Sequence, residues 1–171
     1  MKSKHLTFCG VLTAAALSIF IAEAQLPGLI PVPGVKPGLS NIVTLFALLY
    51  LSPKEALGIL LSRICLGCLL TGSPITLIYS MSGGLACFAA EYFLLRRQGS
   101  RCIWGISAAG AMVHNTIQIL TACLITKTLS ILWYLPVLLI SGILTGLFTG
   151  LCIWYLNQHY GQRIRRWTGK K

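Results

Sequence analysis

Long apolar runs separated by short polar or basic loops are the feature that most constrains this chain. Of its 171 residues, 56% are hydrophobic and only 10% are charged, whereas a soluble domain has about 25% charged residues. The length accommodates about six membrane-spanning helices of about 20 residues each. The sequence therefore predicts an all-α integral membrane protein, a six-transmembrane-helix bundle that forms a single transmembrane domain over residues 1–171.

The apolar runs set the bounds of the six predicted spans. These are residues 6–25, 39–52, 54–71, 75–95, 102–126 and 131–156, followed by a basic tail at 157–171. The first run follows a basic start and ends in Ala-Glu-Ala, so it also has the outline of a cleavable signal peptide. We favour a retained first helix, because the run is as long as a span.

Two stripes of small residues also support helices that pack in the membrane. The stripe in the first run consists of Gly10, Ala14, Ser18 and Ala22. The stripe in the sixth run consists of Gly142, Gly146 and Gly150. Small residues at intervals of four let a second helix approach closely. The sequence does not say whether that neighbour belongs to this chain or to another.

Lys and Arg are distributed asymmetrically between the two predicted sides of the membrane. The formal net charge is +11, from 14 Lys and Arg against three acidic residues. If the N-terminus is inside, only Lys36 and Lys127 fall on the outer side, and the other basic loops and the tail are inside. Cytoplasmic loops carry such an excess, so we predict an N-in, C-in topology. The same charges favour contact with the lipid bilayer over nucleic acid.

Residues 26–42, which read LPGLIPVPGVKPGLSNI, contain four prolines and three glycines. Such a segment cannot form a helix. Irregular backbone at membrane depth persists only where it packs on protein or lines a water-filled cavity. With the cation of Lys36 and a helix that starts after Ser40 and Asn41, it has the character of the discontinuous segments that bind ligands in transporters. A solvent-exposed turn on the outer side is the alternative.

Polar side chains inside the predicted spans are candidates for function because they are costly in lipid. His114 and Gln118 lie four residues apart and therefore share one face of the fifth helix. Arg63 lies near the middle of the third helix and Tyr79 in the fourth. We expect an outward-open pocket for a small molecule. Its candidate ligand-binding residues are His114, Asn115, Gln118, Arg63, Asn41, Lys36 and Tyr79.

Two plainer interpretations stay open for these residues. The cluster around His114 can serve only as hydrogen bonds between helices, and Arg63 can pair with Glu91. Glu23, at the outer end of the first helix, is expected to be an interfacial charge.

Several signatures of catalysis are missing from the sequence. There is no P-loop and no Asp at all, so neither a P-loop nucleotide site nor an Asp-rich diphosphate site is expected. We predict no catalytic residues, no metal and no cofactor. Any energy for uptake must come from an ion gradient or another subunit. Cys65 and Cys68 have the spacing of a redox pair, but small core residues are the simpler interpretation of the seven cysteines.

Four stretches together resemble the Gx transporter family, often labelled heptaprenyl diphosphate synthase component I. They are residues 30–45, 61–67, 79–84 and 110–118. This family is similar to the S components of energy-coupling factor transporters, bacterial membrane subunits with six helices that capture small molecules. The resemblance implies partnership with a membrane coupling protein and two ATPases through the small residues of the first helix.

Three functional hypotheses follow. The first is a substrate-binding subunit of a small-molecule uptake transporter in the bacterial plasma membrane. The second is a non-catalytic membrane component of heptaprenyl diphosphate synthesis. The third is a scaffold for a membrane flavin or redox assembly.

Overall fold

The computed structural model describes residues 2–25 and 38–168, and within these ranges the chain is entirely helical apart from short turns. The helices are α1 (Lys2–Gln25), α2 (Asn41–Tyr50), α3 (Pro53–Thr71), α4 (Pro74–Gln98), α5 (Ile103–Thr126) and α6 (Leu135–Thr168). A 3₁₀ helix at Leu129–Tyr134 leads into α6. The predicted all-α class is therefore confirmed. Most of the Pro/Gly segment, including Lys36, lies outside the described residues.

Within the described parts of the chain, four segments are long and apolar enough to cross a membrane. They are His5–Glu23, Pro74–Gln98, Ile103–Thr126 and Leu129–Thr168. Helix α2 has only ten residues and is therefore about 15 Å long, half of the hydrocarbon thickness of about 30 Å. A membrane protein is thus supported, while six full spans and the N-in, C-in topology stay predictions.

Helix α2 forms the centre of the bundle and contacts α1, α3, α4, α5 and α6. Its hydrophobic residues divide between two faces. Val43, Ala47 and Leu48 pack with residues of α1 and α3, whereas Leu45 and Tyr50 pack with residues of α5 and α6. Because apolar side chains surround it on both sides, the first residues of α2 lie inside the protein.

The small-residue stripe of α6 faces α5 of the same chain. A Cβ atom at Gly150 would lie 2.5 Å from the Cα of Trp104, and one at Gly146 would lie 2.6 Å from the Cα of Ala108. Glycine is thus required where the two backbones touch. The stripe of α1 differs, because all four of its residues are exposed.

Local signals set the ends of α3. Ser52 caps the helix by accepting the backbone N–H of Glu55, and the Glu55 side chain accepts the N–H of Ser52 in return. This capping box, with Pro53 at the first helical position, satisfies donors that the first turn leaves open. At the other end, Gly72 adopts a positive φ of 63°, which closes the helix.

Candidate functional site

Arg63 is the centre of a buried polar cluster in the first half of the chain. Its side chain projects from α3 and is only 3% exposed. One terminal N–H group donates to the hydroxyl of Ser40, and the other donates to Oδ1 of Asn41 at 3.4 Å. The guanidinium carbon lies 5.9 Å from the centre of the Phe20 ring on α1. These contacts bring α1, α3 and the start of α2 together around one cation.

The pairing of Arg63 with Glu91, one of the two plainer interpretations, does not occur. The two side chains make no ion pair, and a Cβ atom at Gly110 on α5 would lie 2.8 Å from the carboxyl oxygen Oε1 of Glu91. Glu91 therefore points toward α5, while the guanidinium of Arg63 is held by the start of α2.

Glu23 takes the acidic role beside Arg63, and the expectation of an interfacial charge is wrong. Its side chain is 4% exposed, and Oε1 accepts the backbone N–H groups of Gly38 and Leu39, the latter at 2.9 Å. Its charge also interacts with that of Arg63. The physical reason is the turn that leads into α2, because its N–H groups at Gly38 and Leu39 lie deep in the protein and need an acceptor.

His114 lies at the middle of α5, where the start of α2 and the face of α4 meet it. A Cβ atom at Gly38 would lie 3.0 Å from Cδ2 of the imidazole, and one at Gly83 would lie 3.0 Å from Nδ1. The same position at Gly83 is 2.8 Å from Cγ of Gln118. Gly38 and Gly83 thus leave space for the imidazole of His114, and Gly83 also leaves space for the side chain of Gln118.

The structure brings together four of the predicted site residues. Asn41, Arg63 and His114 are buried around the start of α2, and Gln118 is buried beside His114 against Gly83 of α4. Asn115 instead donates from Nδ2 to the backbone oxygen of Leu138 at 2.7 Å, so it joins α5 to α6.

The contacts of the described residues do not join Tyr79 to this cluster. Tyr79 is 1% exposed, but no hydrogen bond or ring contact of the described residues joins it to His114. Lys36 lies outside the described residues.

Sequence reasoning missed Ser40, Phe20 and Glu23 as members of the cluster. Ser40 is adjacent in sequence to the candidate Asn41. Gly83 packs against His114 and Gln118, which lie four residues apart on α5. Glu23 gave no signal, because only the fold shows that the end of α1 meets the start of α2.

Several polar atoms of the cluster have no hydrogen-bond partner within residues 2–25 and 38–168. They are Nε of Arg63, Nδ2 of Asn41 and Nδ1 of His114. Buried polar atoms are almost always satisfied, so Nε of Arg63 and Nδ2 of Asn41 are available to a bound molecule or water, whereas Nδ1 of His114 faces the backbone of Gly83. Among the described residues, no group of three or more His, Cys, Asp or Glu side chains is placed to hold a metal. The cluster can therefore recognise charge and hydrogen-bonding groups.

The cysteines take several positions and none of the seven forms a disulfide. Cys87 and Cys123 are buried, as expected for small core residues, whereas Cys65 is exposed. The thiol of Cys68 lies 3.5 Å from the backbone oxygen of Ser73.

A family model described as heptaprenyl diphosphate synthase component I matches residues 12–156. The match begins within α1 and ends within α6, so it contains the whole polar cluster. No curated protein and no solved structure matches the chain.

Proposed function

Given that the chain belongs to the heptaprenyl diphosphate synthase component I family, we propose that it is the membrane-embedded, substrate-binding subunit of a small-molecule uptake transporter. In this proposal the protein is not itself an enzyme and resembles an S component. Separate ATPase subunits supply the energy, and the membrane is the bacterial plasma membrane.

The observation that carries this proposal is the convergence of Arg63 and His114 on the buried start of α2. Transporters commonly bind substrates where a discontinuous helix begins inside the membrane, with its N-terminal dipole end facing the ligand. A buried guanidinium is costly, and a helix bundle needs none for packing alone. The Pro/Gly segment leads directly into this point through Gly38.

The chemistry of the cluster favours a ligand with an anionic or amphipathic group. Arg63 offers a charge and the N–H at Nε, Asn41 offers a second N–H, and the imidazole of His114 can donate or accept. Gln118 lies on the same face of α5. Charge-assisted hydrogen bonds from a guanidinium are among the stronger polar contacts.

The exposed stripe of α1 supports a partner for this subunit within the membrane. A Cβ atom at Gly10 would have no heavy atom of its surroundings within 4 Å. Gly10 and Ala14 line a groove between α1 and α3 whose other wall includes Gly58 and Ser62. Small residues on both walls suit a helix of a membrane coupling protein.

A second candidate function is a non-catalytic membrane component of heptaprenyl diphosphate synthesis. The description of the family favours it, since component I implies a second component that performs the chemistry. The buried cation would then hold the diphosphate end of a lipid substrate. A scaffold for a flavin or redox assembly is the third candidate function, and its support would come from the identity of the partner proteins.

The partners distinguish these functions. The tagged protein is purified from its own membranes in mild detergent, and the proteins recovered with it are identified by mass spectrometry. ATPases with a membrane coupling protein support the transporter. A prenyl diphosphate synthase without ATPases would contradict it and support the second candidate, and a flavoprotein would support the third.

A matched pair of variants tests whether the α1 stripe makes that contact. Ala14→Leu fills the groove and should reduce recovery of the coupling protein at least tenfold. Val11→Leu changes another exposed position of α1 and should leave recovery unchanged. Equal loss in both variants would point to damage of α1 as a whole.

The ligand site is tested by the small molecules that remain bound after purification. His114→Ala combined with Gln118→Ala should abolish their retention while membrane insertion and thermal stability persist. Thr116→Val serves as the control on the same helix, since among the described residues its hydroxyl bonds only to the backbone oxygen of Met112. Loss of folding in the double variant alone would favour a helix-packing role.

A further inference from the structure

A small polar cavity lies between α2, α4, α5 and α6. Its volume of about 10 Å³ is enough for one water molecule. Its polar lining includes Asn41, Glu91, Ser107 and Thr149. A cavity with this many polar groups is a site for an ordered water, since water needs two to four partners.

Two of the lining residues present polar atoms without a partner among the described residues. They are Nδ2 of Asn41 and Oε2 of Glu91. The orientation of the Asn41 amide follows from its other end, because Oδ1 accepts from Arg63. Its Nδ2 is therefore the donor, and a water that accepts from it can donate toward Glu91.

Two hydroxyl groups complete the polar wall. The oxygens of Ser107 and Thr149 lie 2.9 Å apart, so one donates to the other. Each hydroxyl has one donor and two acceptor positions, which leaves capacity for the water. A metal cation fits poorly, because Nδ2 of Asn41 cannot act as a ligand and only one carboxyl group is present.

Glu91 is buried to 1% exposure and makes no ion pair with any described residue. The nearest titratable group is the Cys87 thiol, one turn away on α4, which is within hydrogen-bonding reach of the carboxyl group. From α5, His114 lies one turn beyond Gly110; from α3, Arg63 interacts with Cys87. The residues of α2 and α6 that line the cavity include no titratable side chain.

We propose that Glu91 and one water in this cavity form a proton-binding site, in which the carboxyl group is neutral and donates to or accepts from that water. A carboxylate without a cation is costly in an apolar interior, and a protonated acid removes that cost.

Gly110 on the neighbouring helix α5 leaves the space that the side chain of Glu91 occupies. A Cβ atom at Gly110 would lie 2.8 Å from both Cγ and Oε1 of Glu91. Any larger residue at position 110 would push the carboxyl group out of the cavity. The site also shares Asn41 with the Arg63 cluster, so a change at one site reaches the other through a single amide.

Infrared spectroscopy of the full-length protein in lipid nanodiscs tests the proposal at neutral pH. The wild type should show the carbonyl-stretch band of a protonated carboxylic acid, and this band should shift in D₂O. It should vanish in Glu91→Gln, which keeps the side-chain shape. The control Glu55→Gln, at a half-buried position in the first turn of α3, should retain it. Absence of the band in the wild type, or its persistence in Glu91→Gln, would overturn the proposal.

The water is tested separately by Thr149→Val, which keeps the shape of residue 149 and removes its hydroxyl. The carboxyl band should then shift in frequency, because the water loses a hydrogen-bond partner. An unchanged band would mean that Glu91 is protonated without a water in the cavity and would overturn that part. Circular dichroism confirms that each variant is folded.

Discussion

A Cβ atom on Gly83 would lie 3.0 Å from Nδ1 of His114, so α4 and α5 meet at the imidazole with no side chain between them. The ring has no room to move toward α4. Its position therefore depends on the absence of a side chain at residue 83 as much as on residue 114.

Gly83→Ala should consequently displace the imidazole and the neighbouring Gln118. Overpacking of this kind destabilises a protein by about 1–3 kcal/mol. We expect a lower thermal denaturation midpoint in detergent and weaker retention of bound small molecules. Gly58→Ala is the control, since a Cβ atom there meets nothing within 4 Å. Equal effects of the two variants would contradict the close contact at His114.

The contact between α5 and α6 gives a second prediction. Gly150→Ala places a Cβ atom 2.5 Å from the Cα of Trp104, and no rotamer change can relieve a clash with backbone. We expect a loss of at least about 1–3 kcal/mol in stability, measured by thermal denaturation. Gly10→Ala should be neutral or stabilising by about 0.5–1 kcal/mol, because alanine favours a helix over glycine.

Glu23 and Arg63, which both contact the segment that starts α2, should be energetically coupled. Arg63→Met removes the cation that interacts with Glu23 and leaves Ser40 without its donor, so we expect a large loss of stability. Glu23→Gln removes the charge that accepts the N–H groups of Gly38 and Leu39. Residues in one such network couple by about 0.5–3 kcal/mol. Unfolding of the two single variants and the double variant measures this value, and strict additivity would show that the charges act independently.

The predicted topology can be checked with single cysteines in a background from which the seven native cysteines have been replaced. Thr128→Cys lies at the exposed turn after α5, and Gln98→Cys at the exposed end of α4. With N-in, C-in orientation, a membrane-impermeant maleimide should label residue 128 in intact cells and residue 98 only after permeabilisation. The reverse pattern would invert the topology.

Much of the architecture could be predicted from local patterns. Helix α5, for example, was expected at 102–126 and is observed at Ile103–Thr126, because a long apolar run between a basic loop and a polar turn has one stable form in a membrane. The family was also recognisable, and the match at residues 12–156 confirms it. Helical spacing alone predicted that the polar side chains of His114 and Gln118 share one face of α5.

The depth of the start of α2 could not be predicted in the same way. A ten-residue helix can lie at the surface or in the centre, and only its contacts with five other helices place it inside. Because the start of α2 is buried, Glu23 is a buried hydrogen-bond acceptor and not the interfacial charge that the sequence predicts. That placement also gave Arg63 partners on α2 rather than Glu91.

The amino-acid sequence by itself determined the class of protein, the helices and the set of polar residues within them, since these depend on hydropathy and on spacing along one segment. The tertiary structure decided which of those residues meet. Asn41, Arg63 and His114 come from three different helices, and Glu91 faces a cavity that four helices enclose. Such contacts depend on the packing of large apolar faces, whose many small energies no single stretch of sequence contains.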